Sequence, residues 1–110
     1  KLVARTLEYI RGHMENEIGR EEVARHVGVS PGHLSELLKE RTGRPFVELL
    51  REARVRRACE MLGTSESSLA EIAAACGFCD QSYFTRVFKE VRGITPKQYR
   101  EQSQSGSIPL

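Results

Sequence analysis

The 110-residue chain has little that would place it in a membrane or cross-link it outside the cell. No apolar run approaches the roughly 20 residues of a membrane-spanning helix, and no secretory signal precedes the first helical pattern. The chain has three cysteines, an odd number, which argues against a disulfide framework and suits a reducing compartment. We therefore expect a soluble, cytoplasmic protein without a membrane partner.

The groupings that enzymes and metal sites use are also missing. There is no glycine-rich phosphate loop after a strand, and no plausible Ser/His/Asp or Cys/His constellation. Cys76 and Cys79 form one C-x-x-C, but no second pair exists, and the remaining ligand types lie far off in sequence: Cys59, His26 and His33. A core position for Cys76 and a turn position for Cys79 explain the pair better than a metal does. We expect no catalysis, no metal and no cofactor.

Acidic and basic residues are concentrated in different segments of the chain. The net charge is only +2, so its distribution is more informative than its total. Residues 15–22 carry four glutamates and one arginine. Residues 81–100 carry one acidic side chain, Glu90, and five basic ones: Arg86, Lys89, Arg92, Lys97 and Arg100. This segment is typical of a surface that faces a polyanion.

An internal repeat of about fifty residues organises the chain. Helical periodicity dominates, and no stretch alternates like a strand. Residues 19–43 match residues 68–93, and the second copy has one extra turn residue, Cys79. The matched pairs are Val23 with Ile72, Ala24 with Ala73, Gly28 with Gly77, Leu34 with Phe84, and Leu38 with Phe88. Two copies are too few for a solenoid, so the repeat predicts a duplicated helix–turn–helix.

Each copy carries the local signals of that motif. Gly28 and Gly77 suit a left-handed turn between two helices. Ser30 and Asp80 follow as N-caps of the second helix, and Pro31 takes the first helical position, where its missing N–H costs nothing. The inward-facing positions at spacings of three and four are Leu34, Leu37 and Leu38 in one copy and Phe84, Val87 and Phe88 in the other. Of the aromatic set Tyr83, Phe84 and Phe88, which could otherwise stack on bases, only Tyr83 remains as a candidate outward side chain.

The starts of the two units are predicted from a second kind of signal. Ser68 and Glu71 form a capping box, and Gly19 with Glu22 occupies the matching places in the first copy. An amphipathic helix is expected at about 2–16, and residues 45–62 are expected to form one linker helix of roughly 27 Å. The predicted domains are therefore a first subdomain at 1–44, the linker at 45–62, a second subdomain at 63–102 and a flexible tail at 103–110.

Over about residues 1–101 the sequence resembles the DNA-binding domain of the AraC/XylS family of bacterial transcription regulators. The residues that carry the likeness are Ile72-Ala73, Gly77-Phe78, Asp80 to Phe84, Arg86, Phe88-Lys89, Gly93, Thr95-Pro96 and Tyr99-Arg100. The resemblance implies an all-α fold of about seven helices, with two helix–turn–helix subdomains joined by a long helix. It implies that the third and sixth helices enter successive major grooves of double-stranded DNA. It also implies a missing N-terminal sensor or receiver domain, and RNA polymerase as a partner during activation.

Positions on these two recognition helices predict the roles of individual side chains. The predicted base-reading residues are His33, Ser35 and Glu36 on the first helix and Gln81, Ser82 and Arg86 on the second. The predicted phosphate contacts are Lys39, Arg41, Lys89 and Arg92. Arg86 suits guanine and Gln81 suits adenine, whereas Glu36 accepts from cytosine but repels phosphate. We therefore expect the second helix to supply the larger share of the affinity.

Two other functions remain open at this point: a helical adaptor that binds proteins, and a DNA-targeting module of a larger fusion enzyme. A steep dependence of duplex affinity on salt would favour DNA binding over the adaptor. The repeat spacing further predicts that the isolated domain binds as a monomer to an asymmetric site.

Overall fold

A computed structural model of the chain describes residues 1–104. This part of the chain forms seven α-helices and no strand, which confirms the predicted all-α class. The helices are α1 (Leu2–His13), α2 (Arg20–Val27), α3 (Pro31–Thr42), α4 (Phe46–Thr64), α5 (Leu69–Ala75), α6 (Gln81–Arg92) and α7 (Pro96–Gln104). Within residues 1–104, no helix combines the length and the apolar character that crossing a bilayer requires.

The chain divides into two compact units within α4, between Ala53 and Arg54. The first unit contains α1 to α3, and the second contains α5 to α7. The start of α4 contributes Phe46, Leu49 and Leu50 to the core of the first unit. Its remainder contributes Val55, Ala58 and Leu62 to the core of the second unit. The single helix thus supplies apolar side chains to two separate cores.

The turn between α2 and α3 forms as predicted in the first unit. Gly28 has a φ of 83°, a left-handed conformation that a Cβ would disfavour, and its N–H donates to the carbonyls of Ala24 and Arg25. Leu34 and Leu38 of α3 are completely buried against α1 and α2. Leu37, in contrast, is only half-buried, so the expected inward stripe on α3 is narrower than on α6.

An aromatic row fills the core of the second unit. Neighbouring ring centroids are 5.0 Å apart for Phe78 and Phe84, 5.8 Å for Phe84 and Phe88, and 5.7 Å for Phe88 and Tyr99. Tilted and edge-on pairs of this kind stabilise a core beyond their buried area. The row connects the turn before α6, two turns of α6 and the helix α7, so the buried face of α6 packs against both its preceding turn and α7.

Three boundaries differ from the sequence-based prediction. Helix α1 ends at His13 rather than near residue 16, because the Asn16 N–H donates to the His13 carbonyl and closes a turn there. Helix α4 runs from Phe46 to Thr64, one residue later at its start and two later at its end than predicted. Helix α7 continues to Gln104, and the rest of the predicted tail, 105–110, lies outside the described residues.

The two units begin differently. Ser68 and Glu71 form the predicted capping box, with the Glu71 N–H donating to Ser68 Oγ and the Ser68 N–H donating to Glu71 Oε1. Gly19 and Glu22 occupy the matching places in the first unit, but Gly19 has no side chain and α2 has no side-chain cap. The Glu22 carboxylate instead accepts a hydrogen bond from the Tyr9 hydroxyl and ties α2 to α1.

Candidate nucleic-acid interface

Helix α6 is fixed at both ends and along its inner face. Asp80 is its N-cap, with Oδ1 accepting from the Tyr83 N–H at 2.7 Å, and Gly93 ends it in a left-handed conformation with a φ of 83°. Phe84, Val87 and Phe88 are buried with at most 1% of their surface exposed. The opposite face of α6 is therefore presented to solvent by a helix that has little freedom to rotate.

The exposed face of α6 carries all five side chains that the sequence assigned to DNA on this helix. Gln81 and Ser82 lie in its first turn, Arg86 in the middle, and Lys89 and Arg92 towards its C-terminal end. This face has three basic residues against one acidic residue, Glu90. The basic arrangement suits a polyanion, and its first turns offer the hydrogen-bonding groups that distinguish base edges.

Two of the arginines on α6 rest on tyrosine rings. The Arg86 guanidinium carbon lies 5.2 Å from the centroid of Tyr83, and that of Arg92 lies 5.6 Å from the centroid of Tyr99. Cation–π contacts of this kind restrain a long side chain without removing its hydrogen-bond donors. Tyr83 is half-buried and also meets the edge of Phe78, at a centroid distance of 6.0 Å. Its ring thus supports Arg86 and is not the free outward aromatic that the sequence suggested.

Arg100 does not belong to the basic surface that its neighbours in sequence suggested. It is half-buried, and its Nε and Nη2 donate to the carbonyls of Leu62 and Ser65, each at 3.2 Å. These carbonyls lie at the C-terminal end of α4, where a cation is electrostatically favourable. The basic segment 81–100 is therefore divided among a solvent-facing group on α6, the exposed Lys97 on α7 and the structural Arg100 on the same helix.

Helix α3 has the same construction but a different surface. Ser30 Oγ accepts from the His33 N–H at 3.1 Å, Pro31 starts the helix, and Gly43 ends it with a φ of 74°. His33 and Glu36 of the predicted base-reading set are exposed, and Ser35 is half-buried. The exposed phosphate candidates, Lys39 and Arg41, are matched in number by Glu36 and Glu40, whereas basic residues predominate on α6.

One side chain next to this surface was missed by the sequence analysis. Arg20, in the first turn of α2, donates from Nη1 to Ser35 Oγ at 2.9 Å and lies 3.7 Å from the Glu21 carboxylate. The only signal in the sequence is a basic residue at a helix start, where acidic residues are favoured. The structure thus adds Arg20 to the surface of the first unit and places the remaining candidates on the two exposed helix faces.

The cysteines take no part in this surface. Cys76 is buried, and burial raises the pKa of its thiol to about 11. Cys59 is half-buried, and its pKa is also raised by burial, although Arg92 and a hydrogen bond to Tyr99 oppose the shift. Cys79 is exposed in the turn before α6. Among residues 1–104, no cluster of three or more Cys, His, Asp or Glu side chains could hold a metal ion.

Fold and surface together define a tandem helix–turn–helix protein. The model of a helix-turn-helix domain family matches residues 23–102, and the chain belongs to that family, in its AraC/XylS branch. The regulatory protein PocR of Salmonella typhimurium is 37% identical over 105 residues, which cover 96% of this chain and 35% of PocR. The chain spans about a third of the length of PocR and of the Rhizobium meliloti regulator GlxA.

Solved structures agree with this assignment. The C-terminal domain of AraT, a response regulator from Geobacillus stearothermophilus, has a TM-score of 0.85 and 36% identity, over 92% of this chain and 84% of that one. A Chromobacterium violaceum regulator of the group described as AraC-type DNA-binding domain-containing proteins has a TM-score of 0.90 and 26% identity, over 93% and 91% of the two chains. The tandem helix–turn–helix fold of this chain is therefore the fold of AraC-type domains.

Proposed function

We propose that this chain binds double-stranded DNA in a sequence-specific manner, as the DNA-reading part of a bacterial transcription regulator. The observation that carries the proposal is the exposed face of α6, which a buried aromatic row and two caps hold in place. The relatives support it, because they are named as regulatory proteins and a structural neighbour is described as AraC-type and DNA-binding. The fold by itself is compatible with protein binding as well, so the site must carry the argument.

Roles follow from where each side chain lies on its helix. Gln81, Ser82 and Arg86 are near the N-terminal half of α6, the part of a recognition helix that meets base edges. Lys89 and Arg92 lie farther along and are assigned to phosphates, which fix register without reporting sequence. On α3 the corresponding assignments are His33, Ser35 and Glu36 for bases and Lys39 and Arg41 for phosphates.

We assign the larger share of the affinity to α6. The charges on the exposed face of α3 are balanced, and Glu36 stands where α6 has Arg86. A carboxylate is repelled by phosphate but accepts from the cytosine amino group, so α3 contributes selectivity more than attraction. Because the chain contains one recognition helix in each copy of the repeat, we assign two successive major-groove segments to one molecule.

The remainder of the function concerns the protein as a whole. Since PocR is about three times longer, we propose a further sensor or receiver domain, and AraT, a response regulator, is consistent with a receiver. We propose RNA polymerase as the partner when the regulator activates, a cytoplasmic location with the DNA, and a role without catalysis.

A salt series of duplex titrations tests the proposal. Fluorescence anisotropy of the chain with a labelled duplex, repeated at several salt concentrations, reports the slope of log affinity on log salt. Four phosphate contacts predict a slope of about −3 to −4. A flat slope would contradict DNA binding and favour the helical adaptor, and affinity equal for a selected and a scrambled duplex would contradict sequence specificity.

A further inference from the structure

Arg20 occupies a position that electrostatics alone would not choose. It is the first residue of α2, where the partial positive charge of the helix dipole disfavours a cation and favours the acidic residues that follow it, Glu21 and Glu22. Its side chain nevertheless lies across the gap between the two helices and donates to Ser35 of α3 at 2.9 Å. The hydrogen bond therefore joins the start of α2 to a half-buried hydroxyl of the recognition helix.

Ser35 differs from four hydroxyls that bond back to the main chain. Thr6, Thr42, Thr64 and Ser65 each donate to the carbonyl four residues earlier, at 2.6 to 2.9 Å. Ser35 makes no such bond among the described residues and accepts from Arg20 instead. Because the lone pair facing Arg20 is occupied by a cationic donor, the Ser35 proton must point elsewhere, and Ser35 is available as a donor.

The surroundings of Ser35 leave room for an incoming acceptor. Gly32 lies one turn earlier on the same face of α3, and a Cβ built there would meet nothing within 4 Å. In the second copy of the repeat the same place is held by a side chain, Ser82. A base edge can therefore approach the Ser35 hydroxyl more closely on α3 than at the matching place on α6.

We propose that Arg20 is a positioning residue for sequence reading, which holds Ser35 as a hydrogen-bond donor towards the major groove. The proposal rests on the proposed function. In the major groove the acceptors are purine N7, guanine O6 and thymine O4, whereas cytosine presents only its amino donor. Ser35 held in this way favours a purine or thymine over cytosine at the base that faces it, and Arg20 confers that preference without touching the base.

The test requires a defined duplex. Selection from a randomised duplex library with the complete chain supplies the preferred sequence, and each of its base pairs is then replaced in turn. Affinities for this duplex series are measured for Ser35→Ala, Arg20→Ala, Arg20→Lys and the double variant Arg20→Ala/Ser35→Ala. Arg11→Ala is the matched control, since Arg11 is an exposed arginine of the same unit on α1. Circular dichroism of every variant is measured to check that its helices are intact.

Arg20→Ala and Ser35→Ala are expected to lose preference at the same base pair, each by about fivefold, which is the effect of one hydrogen bond. The double variant is expected to lose no more than either single variant, because the two residues act as a unit. Arg20→Lys keeps a donor and is expected to recover part of the preference, and Arg11→Ala is expected to retain all of it.

Two results would overturn the assignment. Arg20→Ala that weakens every duplex equally, with a salt slope smaller by about one, would make Arg20 a direct phosphate contact. If the loss of base preference in the double variant equalled the product of the losses in the two single variants, Arg20 and Ser35 would act independently. If the wild-type chain showed no salt-dependent binding to duplexes, the proposed function itself would be wrong. If it bound specifically but Arg20 and Ser35 were not coupled, only the role of Arg20 would be wrong.

Discussion

At the scale of single residues, Arg86 and Lys89 are neighbours on α6, and we expect their replacement by alanine to change DNA binding in different ways. Arg86 rests on Tyr83 near the N-terminal half of the helix, so Arg86→Ala is expected to cost about 1–3 kcal/mol on the preferred duplex and to relax the choice at one base pair. Lys89 lies farther towards the C-terminus. Lys89→Ala is expected to weaken all duplexes alike and to reduce the salt slope by about one.

The repeat supplies the reason for this contrast and a control for it. Lys39 and Lys89 are the same residue in both copies, as suits a contact that is blind to sequence, whereas Glu36 and Arg86 differ. Titration of both variants against the preferred and a scrambled duplex separates the two effects. If Arg86→Ala lost affinity equally for both duplexes, the assignment of base reading to Arg86 would be wrong and Gln81 would become the leading candidate.

The cysteines offer a prediction on the same scale that is independent of DNA. At about pH 8, a thiol with a pKa of about 11 is ionised in roughly one molecule in a thousand, so native Cys76 should resist maleimides. Cys79 is exposed and should react first, with Cys59 slower because burial raises its pKa. Mass spectrometry of a labelling time course reads the order, and Cys79→Ser should abolish the fast phase. Early modification of Cys76 would show that the second unit opens.

At the scale of elements, the ends of helices decide how each recognition helix is held. Both α3 and α6 begin with a side-chain cap and end with a left-handed glycine, and these features follow from rules that act within one turn. The end of α4 is different, because its carbonyls are bonded by Arg100 from α7, thirty-eight and thirty-five residues away. These two bonds tie the end of the linker helix to α7 within the second unit.

We expect Arg100→Ala to lower the stability of the second unit by about 1–3 kcal/mol, since two hydrogen bonds from a charged donor are lost. For a small domain, each kcal/mol corresponds to a decrease in Tm of about 4–8 °C. Lys97→Ala, an exposed basic residue on the same helix, is the control and should leave Tm unchanged.

Thermal unfolding and the duplex salt series together decide the role of Arg100. The structural role predicts a lower Tm for Arg100→Ala with an unchanged salt slope. An unchanged Tm for Arg100→Ala, with a slope of log affinity on log salt smaller by about one, would show that Arg100 contacts DNA phosphate as part of the basic surface that the sequence first suggested.

At the scale of the whole molecule, the duplication predicts the form of the binding site on DNA. One chain carries two different recognition helices, so a single copy should protect an asymmetric site with two major-groove segments about 10 bp apart. Footprinting, with the stoichiometry measured by sedimentation, tests this expectation. A palindrome that needs two copies of the chain would contradict it, and Arg86→Ala should weaken protection of only one of the two segments.

The sequence by itself determined the helical class, the repeat, the turn glycines, the caps of α3 and α6 and the apolar positions of their inner faces. Each of these depends on short-range rules: a period of 3.6 residues, the sign of φ at a turn, or a side chain that reaches an N–H three residues away. For the same reason the sequence predicted most of the exposed positions on α3 and α6, because a helix with one face buried leaves the opposite one to solvent; Ser35 and Leu37 are half-buried exceptions on α3.

The tertiary structure decided which partner each long polar side chain takes. Glu22 resembled half of a capping box but accepts from Tyr9, Arg100 resembled a surface cation but bonds to the end of α4, and Arg20 gave no signal of its bond to Ser35. In these three cases the partner lies 13 to 38 residues away in the chain. Long side chains have many rotamers of similar energy, and only the packing of neighbouring helices selects among them.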